Sequence, residues 1–149
     1  MRNGKSKIGI VVSTFNTDIT EKLLSGAIAE LTRSGFEENQ VDVVKVPGAV
    51  EIPLIAKLLG LKEKYDAIIC LGCVIRGDTD HYDYVCQQVS DGCQKVMLEL
   101  KLPIIFGVLT TQNIRQARAR VCDNSSHKGV EVAQAAVQMI TLMKSVCMN

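Results

Sequence analysis

The chain is predicted to be an α/β protein: a three-layer α/β/α sandwich built on a four-stranded parallel sheet with flavodoxin-like topology. Three observations predict it. Four short, β-branched apolar runs recur, at residues 7–13, 41–46, 66–74 and 103–109, and each is followed by a longer segment with apolar residues at helical spacing. The runs are short, mainly apolar and separated by helices, as parallel strands covered on both faces are. Right-handed crossovers between consecutive parallel strands then make the flavodoxin-like order the default.

The elements follow in order. After the first strand, a helix is expected over residues 18–34, with Asp18 as its N-cap, Gly35 as its stop, and Ile19, Leu23, Ala27, Ile28 and Leu31 as its buried stripe. The second helix covers residues 50–61, where Pro53 is tolerated because it falls in the first turn. The third spans residues 82–100 with Val85, Val89, Val96, Met97 and Leu100 on one face, and Pro103 keeps it from running into the last strand. A short helix over residues 114–121 and a final one over residues 128–146 close the chain. The last helix is apolar around most of its circumference, with Glu131 and Lys144 as its charges from residue 130 onward. That pattern predicts burial on more than one side, by a subunit interface or by a close intrachain fit of its alanine-rich faces.

Composition sets the outer bounds. With 149 residues, 47% of them apolar and 22% charged, residues 1–149 are expected to form one domain. The formal net charge of +1 leaves no basic surplus for a nucleic-acid backbone. The longest unbroken apolar run, residues 67–75, is far short of the roughly 20 residues of a membrane span. The polar start of the chain is unlike a secretory leader, so a cytoplasmic location is expected. Six cysteines include Cys70 and Cys73 at C-x-x-C spacing. In a strand, however, residues three apart point to opposite faces with Cα atoms about 10 Å apart, too far for a disulfide. These thiols are expected in the core, with no metal site among them.

In an open parallel sheet ligands bind beyond the carboxyl ends of the strands, so four loops carry the candidates. They are Thr14-Phe15-Asn16, the run from Pro47 to Glu51, the run from Ile75 to His81, and the run from Thr110 to Asn113. The third loop is the richest. Gly77 lets backbone approach a ligand, Thr79 adds a hydroxyl, and the helix starting near His81 offers free N–H groups, which together suit an anion. Asp78, Thr79 and Asp80 also fit plain turn and N-cap roles. His81 sits at the mouth of that helix, where an imidazole can move protons near neutral pH. His127, beside Lys128 in a polar loop, is expected to be solvated. Phe15 is a phenyl ring in a loop, poorly explained as core and able to stack on a flat heterocycle. Phe106, mid-strand, reads first as core. Neither a P-loop nor a dinucleotide fingerprint is present. Residue chemistry alone therefore reaches as far as an enzyme for a small phosphorylated substrate.

Four motifs in order carry the reading further: Phe15-Asn16; the run from Val46 to Pro53 (VPGAVEIP); the run from Gly72 to Tyr82 (GCVIRGDTDHY); and the run from Phe106 to Thr111 (FGVLTT). Followed by Arg120 and Lys128-Gly129, they resemble the 6,7-dimethyl-8-ribityllumazine synthase family over residues 7–143. The resemblance implies a transferase of riboflavin biosynthesis that condenses 5-amino-6-(D-ribitylamino)uracil with 3,4-dihydroxy-2-butanone 4-phosphate, giving 6,7-dimethyl-8-ribityllumazine, phosphate and water. By matching position it implies that Phe15 stacks on the pyrimidine. Asn16, Ala49, Val50, Glu51, Val74 and Ile75 would hold the ring edge and ribityl chain. Gly77, Asp78, Thr79 and Arg120 would bind phosphate, and His81 would move protons. Lys128 would lie near the pyrimidine, and Phe106 would reach in from an adjacent subunit, reversing its reading as core. No cofactor and no metal is implied. The implied partners are the two small molecules and further copies of the chain, as pentamers that in this family are sometimes joined into icosahedral shells, with no nucleic acid and no membrane. Acidic Asp78 and Asp80 depart from the neutral residues common beside the phosphate. The archaeal type of riboflavin synthase, a non-catalytic lumazine- or flavin-binding shell protein, and a flavodoxin-like electron carrier are the competing readings.

Overall fold

A computed structural model describes residues 4–123 and 126–147. The four apolar runs form parallel strands β1 (Ile8–Ser13), β2 (Val41–Val46), β3 (Ala67–Ile75) and β4 (Ile104–Thr111), in the spatial order β2-β1-β3-β4. Crossover helices connect them: α1 (Thr17–Arg33), α2 (Ile52–Gly60) and α3 (His81–Leu100). Beyond β4 come α4 (Ile114–Ala119) and α5 (Lys128–Cys147). No helix among the described residues is long and apolar enough to cross a membrane.

The sheet separates two cores, which makes the architecture three-layered as predicted. On one face Ile10, Val12, Ile69 and Leu71 meet Leu23 and Ala27 of α1 and Val132, Ala133 and Ala136 of α5. On the other, Val11, Ile68 and Cys70 meet Ile52 and Ala56 of α2 and Val89, Cys93 and Val96 of α3. Cys70 and Cys73 fall in opposite cores, as strand geometry requires. Replacing one of the fully buried isoleucines by alanine would cost about 2–5 kcal/mol.

Several local expectations are corrected. The N-cap of α1 is Asn16, in the left-handed region at φ 63°, and Asp18 lies inside the first turn. Asn16 tolerates that conformation, and its carbonyl accepts the amides of Ile19 and Thr20 at 3.0 Å. The C-terminal stop of α1 is as predicted: Gly35 takes φ 97°, and Phe36 donates back to the Leu31 carbonyl at 3.0 Å. Ile28, assigned to the buried stripe, is 38% exposed. Residues 49–51 form a separate 3-10 turn before α2, which places Pro53 at the second residue of the helix. The predicted fourth helix is shorter, ending at Ala119.

His127, expected to be solvated, is 7% exposed. Its ring lies over Gly26 of α1, where a side chain would collide with it, and its Nδ1 accepts the Gly129 amide at 3.1 Å. Gly129 in turn lies against the Leu23 carbonyl. These small residues bring α5 so close to α1 that much of its apolar surface is covered within the chain, leaving Leu142 and Val146 as its exposed large apolar residues. A longer run of exposed apolar residues lies elsewhere: Val50 in the turn before α2, Leu54 and Leu58 on α2, and Leu61 just after it.

Candidate active site

Three loops and the first turns of α3 enclose a cleft of about 580 Å³ beyond the carboxyl ends of β1, β2 and β3. Its walls include Phe15, the run from Gly48 to Glu51, Cys73 to Ile75, Gly77, Thr79 and His81. The β1 loop is zipped to the β2 loop: Thr14 donates to the Val46 carbonyl at 2.8 Å and Phe15 to the Pro47 carbonyl at 3.0 Å. These bonds fix the backbone at Phe15 while its ring remains 72% exposed. An apolar ring held rigidly in the open is a platform awaiting a flat partner. Asn16 does not line the cleft. Its amide nitrogen donates to the Cys73 carbonyl at 2.9 Å, tying the first loop to β3.

Glu51 ends the 3-10 turn after β2. Its Oε2 is buried with no hydrogen-bond partner, and a side chain at position 48 would come within 3.4 Å of it. Gly48 and Glu51 both line the cleft. A buried carboxylate oxygen without donors is costly unless a ligand supplies N–H groups.

The opposite end of the cleft is formed by the loop that leads into α3. Gly77, Asp78, Thr79 and Asp80 are all exposed, and a side chain added at Gly77 would meet nothing within 4 Å. Asp80 occupies the N-cap position of α3 without making a side-chain cap bond. Thr79 takes that role, its hydroxyl accepting the His81 amide at 3.3 Å. His81 follows at the first position of α3 and projects into the same cleft. Gly77 and Thr79 line the cleft with it.

Cys73 lies in the wall but is nearly inaccessible, and burial, followed by the nearby Asp18 carboxylate, pushes its thiol up to about 11. It is protonated at neutral pH and supplies no nucleophile. Burial likewise raises the Tyr82 phenol. Among the described residues, no three His, Cys, Asp or Glu side chains gather in a way that could hold a metal ion.

Arg120 and Lys128 do not line this cleft. They share a second groove of about 460 Å³ along β4, the strand at the edge of the sheet, with Thr110, Thr111 and Gln116. There the Lys128 amide donates to the Arg120 carbonyl at 2.8 Å, closing the intervening loop. The Glu131 carboxylate bridges the two cations, 3.1 Å from Lys128 Nζ and 3.5 Å from Arg120 Nη2. Arg120 Nε is buried without a partner. Phe106 is half-buried against the α2/α3 core and borders a third hollow, with Ser90, Asp91, Cys93, Gln94 and Ile104.

A single chain thus gathers Phe15, Ala49, Val50, Glu51, Val74, Ile75, Gly77, Thr79 and His81 in one cleft, and keeps Arg120, Lys128 and Phe106 on other surfaces. Sequence reasoning missed Tyr84 and Gln88, which line the cleft, and Glu131. The signal was available in helical spacing: residues 81, 84, 85 and 88 share one face of α3, and Glu131 follows Lys128 by three positions on α5.

An open parallel sheet carrying, in one cleft at its strand ends, an exposed aromatic ring, an unpartnered carboxylate oxygen and a glycine-containing loop at a helix start has the architecture of an α/β enzyme for small molecules. The particular family follows from comparison. The profile of the 6,7-dimethyl-8-ribityllumazine synthase family matches residues 5–144, and the chain belongs to that family. Proteins named 6,7-dimethyl-8-ribityllumazine synthase from Coxiella burnetii strains CbuG_Q212, RSA 493 / Nine Mile phase I and Dugway 5J108-111 are each 56% identical to it over 146 residues. Each match covers 98% of this chain and 97% of the relative.

Proposed function

We propose that this chain makes 6,7-dimethyl-8-ribityllumazine from 5-amino-6-(D-ribitylamino)uracil and 3,4-dihydroxy-2-butanone 4-phosphate, with residues 1–149 acting as one domain in the cytoplasm. The observation that carries this reading is the pairing, in one cleft, of the exposed Phe15 ring and the unpartnered Glu51 oxygen with the Gly77–Thr79–His81 end. The first two suit a flat pyrimidine rich in N–H donors, and the second group suits a phosphate ester. Ala49, Val50, Val74 and Ile75 line the intervening wall, where the ring edge and ribityl chain would lie. Asn16, which the resemblance places at the ring edge, would instead support the site by tying the Phe15 loop to Cys73.

The chemistry needs little beyond placement and proton transfer. The 5-amino nitrogen attacks the ketone carbon and one water leaves as the imine forms. Phosphate is then eliminated, and the ribitylamino nitrogen closes the second ring with loss of a second water. His81 gives and takes protons in these steps, a role that contributes about 10²–10⁴-fold. Holding the two reactants in register can contribute more, roughly 7–11 kcal/mol of the barrier.

The reading also requires other copies of the chain. The phosphate end holds exposed Asp78 and Asp80, and the cationic partners Arg120 and Lys128 sit in a different groove on the edge strand. A ring of protomers, a pentamer in this proposal, would bring the Arg120, Lys128 and Phe106 surfaces of one copy against the cleft of the next. The exposed apolar run around α2 and the open edge of β4 support such an assembly. The test is direct. Purified protein is mixed with both substrates while lumazine fluorescence and free phosphate are followed together. Stoichiometric appearance of both supports the reading, and tight binding of lumazine without turnover would replace it with a binding or shell protein.

A further inference from the structure

We infer that Arg76, Tyr82 and Asp83 form a clamp that sets the shape of the phosphate loop, residues 77–80, with Arg76 a positioning residue and not a phosphate ligand. This inference rests on the proposed role of Gly77 and Thr79 as the phosphate cradle and adds the device that holds them.

Arg76 is the first residue beyond β3, and its amide donates to the Thr111 carbonyl on β4 at 2.9 Å. The backbone on the strand side of the loop is thereby fixed. Its side chain reaches over the loop to the helix on the far side. Nη2 lies 2.7 Å from the Asp83 carboxylate, and the guanidinium carbon sits 4.4 Å from the centre of the Tyr82 ring. Tyr82 is itself buried in the wall, so the cation is pressed against a fixed surface. One side chain therefore joins the strand end of the loop to the first turn of α3.

The loop has little else to order it. All four of its residues are exposed, Gly77 has open space around it, and the Thr79 contact to the His81 amide at 3.3 Å is long. Arg76 also stays out of the cleft wall, although its neighbours Ile75 and Gly77 are part of it. Its Nη2 is committed to Asp83 and its guanidinium lies over the Tyr82 ring. Its charge is matched by Asp83, and Asp78 and Asp80 add negative charge nearby. The cradle's contribution is accordingly one of shape and N–H direction.

The test uses the assembled full-length protein and four variants: Arg76→Met, Arg76→Lys, Asp83→Asn, and Arg76→Met combined with Asp83→Asn. Inorganic phosphate affinity is measured by titration calorimetry, and kcat and KM are measured for each substrate. Loss of the ion pair and ring contact in Arg76→Met is expected to weaken phosphate affinity, and raise KM for the phosphate ester, on the order of tenfold. KM for the pyrimidine stays within about twofold. Asp83→Asn, at a more exposed residue that keeps the fold intact, shifts the same quantities in the same direction by less. The combined variant is no worse than Arg76→Met, because both changes open one clamp. Arg76→Lys keeps the charge without the planar fork and restores only part of the loss.

Unchanged phosphate affinity in a folded Arg76→Met protein overturns the clamp, as does an equal rise in both KM values. So does abolished phosphate binding in Arg76→Met with none of it mirrored in Asp83→Asn, which would make Arg76 a direct ligand. If the unmodified protein neither binds phosphate nor turns over, the phosphate-site reading falls and takes the clamp with it. Turnover by the unmodified protein, with all variants alike, removes the clamp alone.

Discussion

Replacing Phe15 by alanine separates a ligand platform from a structural ring. Its ring is 72% exposed, and the backbone there is held by its amide bond to Pro47, which the substitution leaves in place. The change should therefore alter stability by no more than about 0.5 kcal/mol, the usual range for an exposed side chain away from special contacts. If the ring stacks on the pyrimidine, its removal costs roughly 1–3 kcal/mol of binding, as for aromatic stacking on a nucleobase. That corresponds to a loss of about 5- to 150-fold in affinity. Fluorescence titration with the pyrimidine substrate or the lumazine product gives the affinity, calorimetry with inorganic phosphate gives the control, and a thermal melt gives the stability. Weakened pyrimidine binding with unchanged phosphate affinity and unchanged melting is the expected pattern. A lowered melting temperature with intact pyrimidine affinity would show that the ring packs and does not bind.

Other outcomes follow from the same structure. His81→Ala should slow turnover by about 10²–10⁴-fold in single-turnover assays, with a measurable rate remaining because reactant placement persists. At the far end of the sheet, the Tyr65 hydroxyl donates to Asp42 at 2.6 Å and, ahead of Lys7 and Lys64, holds that carboxyl below its ordinary range. A carboxyl with a depressed folded-state value stabilises the fold above the ordinary carboxylate range, and that contribution is lost as pH falls through the folded-state value. Because Asp42 is more than a third exposed and keeps Lys7 and Lys64, Tyr65→Phe should then cost no more than about 1 kcal/mol near pH 7 in urea melts, with the gap from the unmodified protein closing in acid and no change in turnover.

The parts of the fold that were legible are those where one local force decides. The β-branched runs of β1 and β3 are apolar enough to require a buried parallel sheet, and Gly35 can end α1 in a way other residues resist. The misses are places where distant chain intervenes. Asp18 is a good N-cap by type, yet the Asn16 amide bond to Cys73 sets the turn two residues earlier. His127 reads as solvated from its polar neighbours, and only the return of α5 onto Gly26 buries it. In the candidate site, Phe15, Glu51, Gly77, Thr79 and His81 were legible because topology alone carries strand-end loops to one edge. The second groove was less so. Arg120 and Lys128 are brought together by a loop closure that no periodicity announces, and periodicity within one chain is silent about surfaces that a neighbour would complete.

The central claim is that His81 and Arg120 serve one phosphate from two different protomers. It is tested by unfolding His81→Ala and Arg120→Ala proteins together and reassembling them as a mixture. If the site is shared, about one quarter of the seams in a random equal mixture unite an intact His81 with an intact Arg120 from the next copy, and turnover rises well above the mean of the two variants alone. Turnover that stays at that mean, in assemblies shown to be mixed, would place both side chains in a site within one protomer and contradict the account.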